Sequence, residues 1–135
     1  MKKELTLAAT VENIEAVTDF VSAMLEEADC PMKAQMQISI AIDELFGNIA
    51  HYAYAPQTGE ATVQVEIEEG MAAITFIDSG VPYDPLTAET PDTSLSAEER
   101  SVGGLGIFMV KKSMDEMAYR YEDGKNMLTI RKRIG

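Results

Sequence analysis

The chain has 135 residues, enough for one domain with a single core and too few for two. Its 11 basic against 23 acidic residues leave a net charge of −12, which argues against nucleic acid or an anionic membrane as a primary partner. An acidic protein of this kind that binds a polyphosphate must offset the ligand's charge with a metal ion, backbone N–H groups and a few local cations. Hydrophobic residues make up 46%, and no apolar run approaches the roughly 20 residues that span a bilayer, so a soluble globular protein is expected. The opening Met1-Lys2-Lys3-Glu4-Leu5-Thr6 lacks the apolar stretch of a signal peptide. Cys30 is the only cysteine, so no internal disulfide can form, and the chain fits a reducing cytoplasm. His51 is the only histidine, which excludes a multi-histidine metal site.

In chain order, Leu5 and Leu7 alternate with polar neighbours and predict a short strand over Glu4 to Ala8. Thr10 and Asn13 form an imperfect capping box. Ile14, Val17, Val21, Met24 and Leu25 then mark a helix from about Val11 to Ala28. Asp29-Cys30-Pro31 breaks it, and Pro31 suits the first turn of a second helix. That helix carries Ile38, Ile42, Leu45 and Ile49 at helical spacing and should end near Ala55-Pro56. After a turn at Gln57-Thr58-Gly59-Glu60, Val63, Val65 and Ile67 predict a half-buried strand over Thr62 to Glu68. Glu69-Gly70 is a hairpin signal, and Ala72 to Ile77 is the partner strand, ending on Asp78. Ser79 to Val102 holds Pro82, Pro85 and Pro91 and little periodicity; so long a run inside a small domain is usually functional, often a lid, placed here at about 83–102. Ile107 to Met114 reads as a buried helix. Met117 to Tyr121, a turn at Glu122 to Asn126, and Met127 to Arg133 read as a closing hairpin. Three helices and about five strands, joined mostly as hairpins, imply a two-layer α+β domain over 1–135 with the helices on one face of a mostly antiparallel sheet.

Three stretches could carry chemistry. Glu44 and Asn48 stand four apart on the second helix, on the flank of its apolar stripe. They are either a pair of oxygen ligands and proton handlers or an ordinary polar edge. Asp78-Ser79-Gly80 follows directly on a strand, where the carboxylate could accept a hydrogen bond from an exocyclic amine and Gly80 lets a ligand come close; a plain turn has the same composition. Gly103-Gly104-Leu105-Gly106 precedes an apolar helix, so its backbone N–H groups could cradle a phosphate. No Gly-Lys-Ser/Thr follows, so it is not a Walker A loop. Arg100, Lys111 and Lys112 could supply cations, although lysines on a helix more often form a solvated face.

Taken together, Glu44-x-x-x-Asn48 on a helix, Asp78-x-Gly80-x-Pro82 after a strand, and Gly103-Gly104-Leu105-Gly106 before a helix resemble the GHKL ATPase and kinase superfamily over nearly the whole chain. The segments Asp78-Ser79-Gly80-Val81-Pro82-Tyr83-Asp84-Pro85 and Gly103 to Glu116 resemble most the anti-sigma-factor serine/threonine kinases. The resemblance implies a Bergerat-type ATP-binding fold with a mixed, mostly antiparallel sheet. It makes Asn48 the magnesium ligand, Glu44 the general base, Asp78 the acid that recognises the adenine amino group, and Gly80 the residue that admits the base. Gly103, Gly104, Leu105 and Gly106 would wrap the triphosphate, and Arg100 would reach it from the lid. Many relatives carry a basic residue four after the asparagine; Tyr52 stands there in this chain, and His51 is expected to face solvent.

The activity so implied is magnesium- and ATP-dependent phosphorylation of a serine or threonine on a STAS-domain anti-sigma antagonist, with a sigma factor as second partner and homodimers as the assembly. Two rival readings keep the nucleotide and change its use. One is a non-catalytic switch that grips its partner according to whether ATP or ADP is bound; the other is simple hydrolysis, with water replacing the protein hydroxyl.

Overall fold

Alternating apolar and polar residues build the sheet, and helical apolar stripes cover one side of it. In the computed structural model, residues 1–54, 57–87 and 104–135 are described. Strand β1 (Lys2–Ala8) leads through a short 3-10 turn (Val11–Asn13) into α1 (Ile14–Glu27) and then α2 (Met32–Asn48). The hairpin β2 (Glu60–Glu68) and β3 (Met71–Asp78) follows, then α3 (Gly104–Ser113) and the hairpin β4 (Glu116–Glu122) and β5 (Lys125–Arg133). The strands form one sheet in the order β1-β2-β3-β5-β4, and every pairing is antiparallel. The expected two-layer α+β architecture is therefore the observed one, with no parallel pair among the described strands. No helix is long and apolar enough to cross a membrane among the described residues.

The two hairpins have two-residue loops, Glu69-Gly70 and Asp123-Gly124, with positive φ at both positions (51° and 76°, 53° and 75°). Such primed turns match the twist of the flanking strands. The second is tighter than the five-residue turn expected from Glu122 to Asn126. Consequently Asn126 lies within β5, directly opposite Asp78 on β3.

The core-facing rows follow from the pleat. Ala61, Val63, Val65 and Ile67 on β2, Ala72, Ile74 and Phe76 on β3, and Leu128 and Ile130 on β5 are buried beneath Val17, Val21 and Leu25 of α1 and Ile38, Ile42, Leu45 and Phe46 of α2. In β3 and β5 the same inward phase continues to Asp78 and Asn126, which are 7% and 6% exposed. The apolar inner face thus ends on a buried polar rung, and that rung positions the site.

Two boundaries differ from expectation in a way that matters. The second helix keeps its α form only to Asn48 and then widens into a π-helical turn, Ile49–Ala53. Such widened turns recur at functional sites because they re-aim backbone groups. Here the turn delivers the Ala53 carbonyl to the loop after Asp78, where it accepts a hydrogen bond from the Val81 N–H at 2.9 Å. Within the expected lid, Pro85–Thr87 form a 3-10 turn; Arg100, Gly103 and the rest of 88–103 lie outside the described residues.

Candidate functional site

A cavity of about 520 Å³ opens where the C-terminal end of α2, the end of β3 and the start of β5 meet. Asn48, Phe76, Asp78, Tyr119, Asn126 and Leu128 are among its walls. Its volume suits a nucleotide-sized ligand, and its floor is apolar with a few polar groups, as small-molecule sites generally are.

Asp78 is held from two sides. Its Oδ1 accepts the Gly80 N–H at 2.9 Å and the Asn126 Nδ2 at 3.0 Å. A Cβ on Gly80 would overlap the Ala53 backbone carbonyl, so glycine is required there by close approach of the π-helical turn. Tyr54 ties the same corner: its hydroxyl donates to the Glu60 carbonyl at 2.6 Å and accepts the Ser79 N–H at 2.8 Å.

Asn126 was hidden from sequence reasoning by its assignment to a turn. Its Nδ2 also donates to the Val81 carbonyl at 3.0 Å, while its Oδ1 accepts from the Tyr83 N–H at 3.1 Å and from the Tyr119 hydroxyl. One signal could have found it. Asn126, Leu128 and Ile130 share one strand phase, and Asp-Gly suffices for a two-residue turn. Burial raises the Tyr119 hydroxyl above its ordinary pKa, the Tyr83 backbone partly counters this, and the charges of Asp84 and Asp78 add to the rise.

Glu44 is not among the cavity's walls. It lies one helical turn before Asn48, half-buried, with its carboxylate seated against Gly106 of α3. A Cβ on Gly106 would overlap Cδ and both carboxylate oxygens. Oε1 is buried and has no hydrogen-bond partner among the described residues. Desolvation by burial holds the carboxyl above its usual pKa, the adjacent Asp43 charge pushes the same way, and the Asn48 carboxamide pulls it back. A carboxylate so placed is a stronger proton acceptor than an exposed one.

The structure therefore brings Asn48 and Asp78 to one cavity, holds Gly80 beside it through its hydrogen bond to Asp78, and seats Glu44 against Gly106 one helical turn before Asn48. Gly104, Leu105 and Gly106 do not precede the helix as expected but form the first turn of α3, which begins at Gly104 rather than Ile107. Of the expected cations, the Lys111 Nζ donates to the Leu86 carbonyl at 2.8 Å and Lys112 lies 4.9 Å from the Phe108 ring centroid. His51 is exposed, its ring 5.9 Å from that of Tyr52.

This geometry has a known counterpart. The family profile described as "histidine kinase-like ATPase domain" matches residues 7–132. The chain belongs to that family. Among curated relatives, the serine-protein kinase RsbW of Listeria monocytogenes is 26% identical over 132 residues, covering 94% of this chain and 84% of the relative. The serine/threonine-protein kinase BtrW of Bordetella bronchiseptica is 25% identical over 100 residues, 73% of this chain and 70% of the relative. Among solved structures, the RsbU and RsbW domains of Rv1364c from Mycobacterium tuberculosis superpose with a TM-score of 0.71 at 19% identity. That match covers 99% of this chain but only 32% of the other. The histidine kinase AdeS of Acinetobacter baumannii superposes with a TM-score of 0.58 at 14% identity, over 97% of this chain and 68% of that one. Both structures share the histidine kinase-like ATPase fold seen here.

Proposed function

We propose that this histidine kinase-like ATPase domain is a serine/threonine protein kinase that moves the γ-phosphoryl of ATP to a protein hydroxyl. The observation that carries this is the placement of Glu44: a half-buried carboxylate with an unpartnered oxygen, one turn from Asn48 and pressed on the first turn of α3. The curated relatives named as serine or serine/threonine kinases support the same reading.

The residues present fit the group. The cavity next to Asp78 accommodates a purine, and Gly80 and Gly106 leave open backbone where a side chain would intrude. For magnesium the fit rests on donor chemistry. Asn48 offers one hard oxygen, and no cluster of three or more acidic, histidine or cysteine ligands exists among the described residues. One or two protein oxygens are what magnesium uses when it keeps its waters and is shared with phosphates. Bound there, the ion would neutralise phosphate charge that a −12 protein otherwise repels.

Each residue then has a role. Asp78 accepts a hydrogen bond from the adenine amino group. Asn48 holds the metal. The backbone of α3 from Gly104 to Gly106, at the positive end of a helix, faces the phosphates. Glu44 takes the proton of the attacking hydroxyl late in the step, which the raised basicity caused by burial favours. Phosphoryl transfer depends chiefly on positioning and charge neutralisation, so little more is needed from the chain. The proposed acceptor is a STAS-domain antagonist in the cytoplasm, with a sigma factor as second partner; the sequence resemblance supports this choice.

The test is Glu44→Ala with labelled magnesium-ATP and candidate STAS proteins. Nucleotide affinity should be retained while transfer to the partner falls by about 10²- to 10⁴-fold. Transfer at the parent rate would remove Glu44 from the mechanism. A parent protein that binds ATP and regulates a partner without phosphorylating it would replace the kinase by a nucleotide switch.

A further inference from the structure

We propose that Asn126 is a positioning residue that gives the site its preference for a 6-amino purine over a 6-oxo purine, by locking the rotation of the Asp78 carboxylate. The inference rests on the nucleotide reading above and adds to it the residue that decides which base is taken. The carboxamide of Asn126 has two N–H donors and an oxygen with two lone pairs, and all four are used. The donors go to Asp78 Oδ1 and the Val81 carbonyl, and the acceptor sites take the Tyr83 N–H and the Tyr119 hydroxyl. A flipped amide would set its oxygen against a carboxylate and a carbonyl and its NH2 against an N–H, so only one orientation is compatible with this surround.

That orientation fixes Asp78 in turn. Oδ1 receives both Gly80 N–H and Asn126 Nδ2, whereas Oδ2 has no hydrogen bond among the described residues. Asp78 and Asn126 both wall the cavity. The carboxylate therefore presents one acceptor oxygen to the ligand and keeps the other engaged. A 6-amino group donates to that oxygen. A 6-oxo group would bring a second acceptor against it, a mismatch that buried polar sites reject strongly. Without Asn126, Gly80 N–H alone sets the rotation, and the carboxylate can turn away from the amine. The Tyr119 hydroxyl, itself in the cavity wall, donates from β4 to Asn126 on β5 and supports the lock.

The experiment is calorimetry of the full chain with magnesium-ATP and magnesium-ITP, for the parent, Asn126→Leu and Tyr119→Phe, with thermal melts for each. The parent should prefer ATP by at least about 100-fold. Asn126→Leu should weaken ATP by roughly 10- to 100-fold while ITP changes by less than about threefold, so the preference narrows. Tyr119→Phe should narrow it by a smaller factor, and it decides the matter if Asn126→Leu fails to fold. Equal losses on both nucleotides would make Asn126 a mere wall of the pocket and overturn the proposal, as would an unchanged ATP/ITP ratio in the variant that folds. A parent that binds both nucleotides equally would overturn this inference and leave the nucleotide site standing. A parent that binds neither would remove both.

Discussion

Gly80→Ala probes the corner on which the site is built. The added Cβ would sit within 3 Å of the carbonyl carbon, oxygen and Cβ of Ala53. These belong largely to backbone in the π-helical turn and cannot rotate away. Relief requires the loop to back off, which breaks the 2.9 Å bond from the Val81 N–H to the Ala53 carbonyl. Overpacking of this kind costs about 1–3 kcal/mol, and the lost bond adds roughly 0.5–1.5 kcal/mol. An unfolding entropy near 2.1 cal/mol/K per residue gives about 0.28 kcal/mol/K for this chain, so a combined loss of about 1.5–4.5 kcal/mol lowers Tm by about 5–16 °C. Gly124→Ala is the control, because Gly124 has a φ of 75° with nothing within 4 Å of its Cβ position. It carries only the left-handed backbone penalty of about 1–2 kcal/mol, or about 4–7 °C. Differential scanning calorimetry on the two variants separates steric from conformational cost. A Gly80→Ala protein that melts no lower than Gly124→Ala would refute the close approach of the turn to Gly80, and with it the account of how Asp78 is held.

Three further outcomes are expected. Because burial raises the folded-state pKa of Glu44, its ionisation destabilises the fold above the ordinary carboxylate value, and this penalty vanishes as the pH falls below that value. Glu44→Gln should therefore be slightly more stable than the parent at neutral pH, and the melting curves of the two should converge as the pH falls below the ordinary carboxylate pKa of about 4; a parent more stable than the variant at pH 7 contradicts this. Asn48→Ala should weaken ATP binding by about tenfold in magnesium and leave magnesium-free binding unchanged, as titration with and without a chelator will show. Tyr54→Phe removes the hydroxyl that bridges Glu60 and Ser79 and should cost about 1–2 kcal/mol, or about 4–7 °C in Tm, with a normal circular dichroism spectrum.

What the sequence determined by itself was local. Ile38, Ile42 and Leu45 repeat within a few residues, so the buried face of α2 and the stacking of Glu44 over Asn48 are written in one helical period. Likewise Val63, Val65 and Ile67 declare a half-buried strand, and Asp78 stands at the end of its partner strand. What tertiary structure decided was which distant groups meet. Asn126 meets Asp78 only because β5 pairs with β3 in a register that puts residues 48 apart opposite one another. Burial holds the Glu44 carboxyl above its usual pKa, and Gly106, far along the chain, is one of the groups it packs on; the widening of α2 after Asn48 accompanies the approach of the Ala53 carbonyl to the loop at Gly80. Periodicity records which way a side chain points, whereas register and desolvation depend on closure of the whole sheet against its helices.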